Sequence, residues 1–270
     1  METSHLQWGL DTAIGLLKKE RNTTGIWTGR LSSSALACSV AITALKIADP
    51  VANALYVEKG TGWLVKNSNP DGGFGDTPES LSNVSTSLLC YAALKYCVKP
   101  EQQKTVLQGL EKYLQSNGID FDRGNVADSI LAFYQKDLTF SVPILSMLWI
   151  CGVLDATSAR KIPQLPFELT LLPASWYRFI NMQVVSYALP ALIAVGIYTF
   201  KAREKKTGVI SLIRKKSERT SLKKLESILP ESGGFLEAIP LTAFVAMCLI
   251  ASGNGNSLVV KKGIGFLKDL

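Results

Sequence analysis

Any catalysis by this chain falls to its carboxylates. The sequence holds one histidine, His5, close to the amino end. A Ser-His-Asp triad or a histidine-based zinc site therefore has almost nothing to be built from. The five cysteines, Cys38, Cys90, Cys97, Cys151 and Cys248, form no close pair, and four sit inside apolar runs. They read as buried, reduced thiols of a cytosolic protein. No metal or cofactor is expected. Three carboxylates stand out by position. Asp76 and Glu79 lie at the entrance to an apolar stretch, and Asp128 lies inside one. For Asp76 and Glu79 the plainer reading is capping and complementing a helix dipole. For Asp128 it is a buried residue paired with Arg123 or a neighbouring hydroxyl.

The elements that would position these groups are helices. Leu6–Lys19 has helical apolar spacing, and Ser32–Ile47 is a nearly uncharged helix led by serines. Val51–Lys66 and Gln102–Gln115 are amphipathic, whereas Leu81–Leu94 is apolar almost all round and should be buried on every side. Its few hydroxyls are expected to bond back to their own backbone. Val126–Tyr134 and Phe140–Val153 are two further apolar segments, and Leu258–Leu270 is a last amphipathic helix. No signal peptide is read at the amino end, because Glu2, His5 and Asp11 break any apolar run.

Between these helices lie turns that combine glycine with an aromatic. Trp27, Phe74 and Phe121 mark three of them, and each is 47 residues from the next. A fixed period of this size is the mark of a repeat architecture. Each unit is an outer polar helix, a Gly-aromatic turn and an inner apolar helix. A chain of 270 residues holds about six such units, enough to close a ring. The expected fold is all-α: one domain over residues 1–270, an α/α barrel or toroid of six helical hairpins. Charged residues make up only 19%, as a ring with greasy inner helices would require.

The second half is less regular. The uncharged run Phe179–Phe200 is long enough to cross a bilayer. Pro190, Gly196, Gln183 and Ser186 interrupt it, so an inner barrel helix is the preferred reading. Dense basic patches at Lys201–Lys206 and Arg214–Arg219 carry much of the net charge of +7. They read as a solvated helix and loop, or as a rim facing a membrane. Nucleic acid is not expected as a partner, because its recognition motifs are missing.

Several stretches together resemble the squalene-hopene and oxidosqualene cyclases, the class II terpene cyclases. Pro70-Asp-Gly-Gly-Phe-Gly75 and Glu231-Ser-Gly-Gly-Phe-Leu236 are similar to that family's QW-type turns. Asp128–Tyr134 is similar to the segment before its proline-rich loop. Leu165-Pro-Phe-Glu-Leu-Thr-Leu-Leu-Pro173 resembles the loop itself, and Ser186–Ile193 the apolar segment after it. The family carries two α/α barrels, and this chain resembles the amino-terminal one, ending about where the second would begin. The family's Asp-x-Asp-Asp acid belongs to the other barrel and has no counterpart here. The nearest string, Asp120-Phe-Asp122, is followed by Arg123, which favours the ionised carboxylates.

The resemblance implies a protonation-initiated cyclisation of a linear polyprenyl or squalene-like substrate. Protonating an alkene needs a carboxylic acid held neutral in a dry pocket, and aromatic faces to stabilise the cations that follow. Asp128 is the first candidate for the acid, followed by Asp76 and Glu79. Trp27, Phe74, Phe133, Phe140, Trp149, Trp176 and Tyr187 are candidates for the substrate-binding wall, though the plainer reading of each is core. Tyr134 and Tyr177 belong to the same aromatic set. The chain would act alone, as a homo-oligomer, or with a second barrel subunit. The alternative is a non-catalytic barrel that scaffolds a partner carrying the acid and docks it on the inner face of the membrane. A protein prenyltransferase β subunit would need an Asp-Cys-His zinc site, which His5 cannot complete.

Overall fold

The computed structural model describes residues 2–28, 31–97, 104–121, 125–171, 188–203 and 208–269. Every regular element among them is helical. The helices are α1 (Glu2–Lys19), α2 (Ala35–Ala48), α3 (Ala54–Lys66), α4 (Val84–Cys97), α5 (Lys104–Ser116), α6 (Val126–Tyr134), α7 (Leu138–Ile150), α8 (Ala156–Ala159), α9 (Leu189–Ala202), α10 (Val209–Ser227), α11 (Ile239–Ala251) and α12 (Leu258–Asp269). A 3₁₀ turn covers Phe167–Leu171. The chain divides into two compact units, Met1–Ser32 and Ser33–Leu270.

The smaller unit is α1 and the turn after it. Lys18 and Lys19 close the helix, where cations suit the carboxyl end of its dipole. The Trp27 indole donates to the Leu17 carbonyl (2.6 Å), and the Arg21 guanidinium lies over the same ring.

In the larger unit five helices pack in cyclic order. α2 lies against α4, α4 against α7, α7 against α9, α9 against α11, and α11 returns to α2. This is the closed ring of an α/α barrel. Composition explains who is inside. α7 and α11 carry no charge, while α2, α4 and α9 carry one lysine each, always in the last turn. There the ammonium meets the negative end of the helix dipole and reaches a partner. Lys46 donates to the Cys97 carbonyl, Lys95 to the Tyr91 hydroxyl and Lys201 to Glu218. The amphipathic helices lie outside. α3 packs on α2 and α4, α5 on α4, α10 on α9, and α12 on α11 and α2.

Among the described residues five helices fill the ring, where about six hairpins were expected. Val126–Tyr134 is the predicted third inner helix, but it packs on α7 and α8 and leaves Ala132 and Phe133 exposed. α7 takes the next place in the ring. The reason is local. α6 has nine residues, carries Asp128 and ends at Gln135 with φ +53, whereas α7 is thirteen residues long and uncharged all round. The uncharged run read as Phe179–Phe200 is described only from residue 188, and there it is the ring helix α9. Among the described residues no helix is long and apolar enough to cross a membrane.

The Gly-aromatic turns repeat in atomic detail. Gly25 donates its backbone N–H to Asn22, and Asn22 donates to Ile26. Forty-seven residues on, Gly72 donates to Asn69 and Asn69 to Gly73. At the last turn Gly233 donates to Pro230. All three glycines have φ near +85, which only glycine adopts without strain. The second and last turns then clamp their hairpins in the same way. Gly72 lies flat on the backbone of Gly109 in α5, and Gly233 on the backbone of Lys262 in α12. The N–H of Phe74 donates to the Ser87 hydroxyl of α4, and that of Phe235 to Thr242 of α11, both at 2.9 Å. The hydroxyls of α4 were expected to bond back to their own helix. Ser87 instead accepts from the Phe74 N–H, which would otherwise be buried unpaired, and Thr86 donates to the Asp76 carboxylate.

Gly72→Ala and Gly233→Ala should each lower unfolding stability in urea by at least about 2 kcal/mol, since the new Cβ meets a carbonyl oxygen and the left-handed φ adds strain. Gly62→Ala, in open space on α3, should raise stability by roughly 0.5–1 kcal/mol.

Candidate functional site

The start of α4 gathers the largest share of the predicted residues. Asn83 caps the helix, its side-chain oxygen accepting from the Thr86 N–H. The Asp76 carboxylate accepts from the Asn83 amide (2.9 Å) and the Thr86 hydroxyl (2.6 Å), tying the turn to the cap. Beside them Ser85 shares a short hydrogen bond with the Tyr134 hydroxyl, which α6 delivers. Phe133 meets Tyr134 edge to face, with centroids 5.1 Å apart. Phe74 is fully buried as the wedge of its turn, while Asp76 and Glu79 are exposed. The structure thus places Phe74, Asp76, Phe133 and Tyr134 around one helix end.

The other candidates lie apart. Asp128 is on the exposed side of α6, its side chain 55% accessible and paired with Lys161. A donor for alkene protonation should be dry and distant from cations, and Asp128 meets neither condition. Its predicted partner Arg123 lies outside the described residues. Phe140 is exposed at the start of α7. Trp149 is half-buried near the other end of α7 and packs edge-on against Tyr198 of α9. Trp27 is exposed within the amino-terminal unit. Trp176, Tyr177 and Tyr187 lie outside the described residues.

Sequence reasoning missed a forked ion pair. Arg214 of α10 grips Glu168 with two hydrogen bonds, 2.9 Å from Nε and 2.8 Å from the terminal nitrogen. The two side chains are 19% and 16% accessible. Such a fork-to-carboxylate pair is directional as well as strong. It fastens the proline-bounded turn Phe167–Leu171 to the outer helix, and Thr170 adds a hydroxyl contact to Ser221. The signal was present as a lone acid inside an apolar, proline-rich stretch. A second missed network joins ring to rim, where Tyr91 donates to Glu111 of α5 and its ring packs on Phe121.

All five thiols are free. Burial pushes Cys38 up to about 11 and Cys97 up to about 12, and it also raises Cys90, Cys151 and Cys248. These thiols are held protonated and unreactive. Among the described residues no group of three His, Cys, Asp or Glu side chains is arranged to hold a metal ion.

With the geometry in place, the comparison with known families has a clear reading. Residues 10–123 match the squalene-hopene cyclase N-terminal domain. This stretch, less than half of the chain, is similar to the amino-terminal barrel region of the squalene-hopene cyclases. The match takes in the first two Gly-aromatic turns and ends in the third, where the ring leaves the 47-residue period. A comparison with curated proteins finds no match.

Glu168→Gln should cost about 2–3 kcal/mol in denaturant unfolding, because it leaves Arg214 half-buried without its counter-charge, whereas Asp128→Asn should cost under about 1 kcal/mol. The folded protein should resist iodoacetamide at pH 8, with Cys38 roughly a hundredfold less ionised than a free thiol. The folded state keeps thiol protons that the unfolded chain releases above its pKa of 9.0, so stability should fall as pH rises from there toward about 11.

Proposed function

We propose that this chain is the acid-free barrel of a class II terpene cyclase. In this reading it takes part in the protonation-initiated cyclisation of a linear polyprenyl or squalene-like substrate, an isomerase-type reaction of isoprenoid biosynthesis. The proton comes from a second barrel carrying Asp-x-Asp-Asp. This chain supplies apolar and aromatic wall around the carbocation, and rigid support for its partner.

One observation carries the proposal. Each candidate acid sits in a setting that suits structure better than proton donation to an alkene. Asp76 is exposed and tied into a helix cap, Glu79 is exposed, and Asp128 is exposed and ion-paired. Alkene protonation requires water exclusion, since water quenches the cation. Phe133, Phe140 and Trp149 remain the candidates for the wall. Their accessible faces, on α6 and α7, offer π-density that stabilises positive charge without becoming a nucleophile. Trp27, Trp176 and Tyr187 belong to the same proposal.

The second reading, a lone-barrel cyclase with Asp128, Asp76 or Glu79 as acid, is separated from the first by one assay. The purified chain is incubated with squalene and with shorter polyprenyl compounds, alone and with an Asp-x-Asp-Asp barrel, and products are resolved by mass spectrometry. The expected outcome is no cyclic product from the chain alone and product only with the second barrel. Asp128→Asn should leave that yield within about twofold. Cyclisation by the chain alone, abolished in a folded Asp128→Asn variant, would replace this proposal with the lone-barrel enzyme.

A further inference from the structure

We infer that Arg203, Ser211 and the first turn of α10 form a binding site for a small tetrahedral oxyanion, inorganic phosphate or a soluble phosphate ester. The site lies where the end of α9 meets the start of α10. Lys201, Arg203 and Arg214 lie along this seam, and two of them have acids. Lys201 is paired with Glu218, and Arg214 takes both oxygens of Glu168. Arg203, which closes α9, has no carboxylate partner among the described residues. A terminal nitrogen donates to the Ile162 carbonyl, but its Nε is buried and unpaired. Burial, and after it the Arg214 charge, holds the guanidinium below its ordinary range. A partly buried cation that faces a second cation costs free energy until an anion compensates it.

The start of α10 supplies the other donors. Ser211 is 8% accessible, and its hydroxyl has no hydrogen-bond partner. Further along the same helix Ser217 donates to the Arg214 carbonyl and Ser221 bonds Thr170, so Ser211 departs from its neighbours. The Cα–Cβ bond of a helical residue tilts toward the amino end, which aims this hydroxyl at the first turn. That end begins at Gly208, which has no side chain to cap it. Main-chain N–H groups and the positive end of a 19-residue helix dipole favour an anion there. Arg214 follows Ser211 by one turn, and Arg203 feels its charge, so guanidinium and hydroxyl belong to one end of the helix. The donors are a guanidinium, a hydroxyl and main-chain N–H groups, held by two helix ends. They suit a tetrahedral anion better than a planar carboxylate. A water molecule would meet the hydroxyl and Nε but leave the charge uncompensated. The inference needs no turnover and stands apart from the cyclase proposal.

The test is isothermal titration calorimetry of the full chain with inorganic phosphate, diphosphate and glycerol 3-phosphate at constant ionic strength. At least one should bind a single saturable site with Kd below about 1 mM. Tightest binding of phosphate or diphosphate assigns the free ion, and tightest binding of the ester assigns a phosphorylated metabolite; either supports the site. Arg203→Gln should weaken binding at least about tenfold, and Arg203→Lys by less, since lysine keeps the charge but loses the fork. Ser211→Ala should weaken it severalfold. Without ligand that variant should melt no lower than the parent, because it loses a buried hydroxyl that had no partner. Lys216→Gln, on the exposed side of α10, should leave binding within about twofold. No saturable heat with any of the three up to about 10 mM would overturn the inference. So would binding unchanged by Ser211→Ala and by a folded Arg203→Gln, or binding that Lys216→Gln weakens as much as Arg203→Gln does. Ser211→Ala decides alone should Arg203→Gln not fold.

Discussion

The hairpins of this barrel depend on one contact, the close approach of a turn to the backbone of the next outer helix. At Gly72 the turn lies on Gly109, with an ideal Cβ falling 2.6 Å from a carbonyl oxygen. At Gly233 the corresponding distance to Lys262 is 2.5 Å. No residue with a side chain fits there, and the left-handed φ excludes one independently. The approach buries backbone donors, which must then be satisfied. A hydroxyl from the following ring helix does this at Phe74 and again at Phe235. Turn, outer helix and inner helix are thereby fixed together by groups too short to allow slippage.

That contact explains the chemistry of the ring helices. A helix buried on all sides has no solvent to satisfy side-chain polar atoms, so each must bond within reach. Thr43 donates to the Ser39 carbonyl, Ser146 to Val142 and Thr199 to Val195, each one turn back along its own helix. Only hydroxyls near a Gly-aromatic turn are diverted to the turn. Charge is absent from α7 and α11 and is pushed to the last turn of α2, α4 and α9, where each lysine reaches a carbonyl, a hydroxyl or a carboxylate. The cysteines fill the remaining small volumes and are kept protonated by the same dry surroundings.

Much of this was legible before any coordinates. The 47-residue spacing of Trp27 and Phe74 corresponds to one hydrogen-bond pattern, because a turn that needs a left-handed glycine admits few sequences. The ring helices α2, α4, α7, α9 and α11 were visible as runs almost without charge. The third repeat was less legible. Phe121 keeps the interval, yet the helix after it is too short and too polar to enter the ring. The Glu168–Arg214 pair was hidden for a different reason. Its partners are 46 residues apart, and no local pattern joins an acid in a proline-rich loop to an arginine in a basic run. Asp128 was chosen because its neighbours are apolar. Those neighbours face inward on α6 while the carboxylate faces out, a distinction that periodicity settles only once the packed face is known.

α10 shows the limit of that reasoning most plainly. Hydrophobic periodicity assigns the aliphatic face of a helix to the core, which here would turn Val209, Leu212 and Ile213 inward. The helix is oriented instead by Leu222 and Leu225 on the core together with paired polar contacts: Arg214 on Glu168, Ser221 on Thr170, Glu218 on Lys201 and Asn254. Each is worth more than an ordinary surface contact because it is partly shielded from water and because breaking it leaves a charge or donor stranded. Leaving four aliphatics in water costs several kcal/mol by area, on the order of 1 kcal/mol or more for each. That cost persists unless another surface covers them. Those polar contacts, with Leu222 and Leu225 beside them, therefore fix which way the helix turns, and the aliphatics of its first turns are left in water as the consequence.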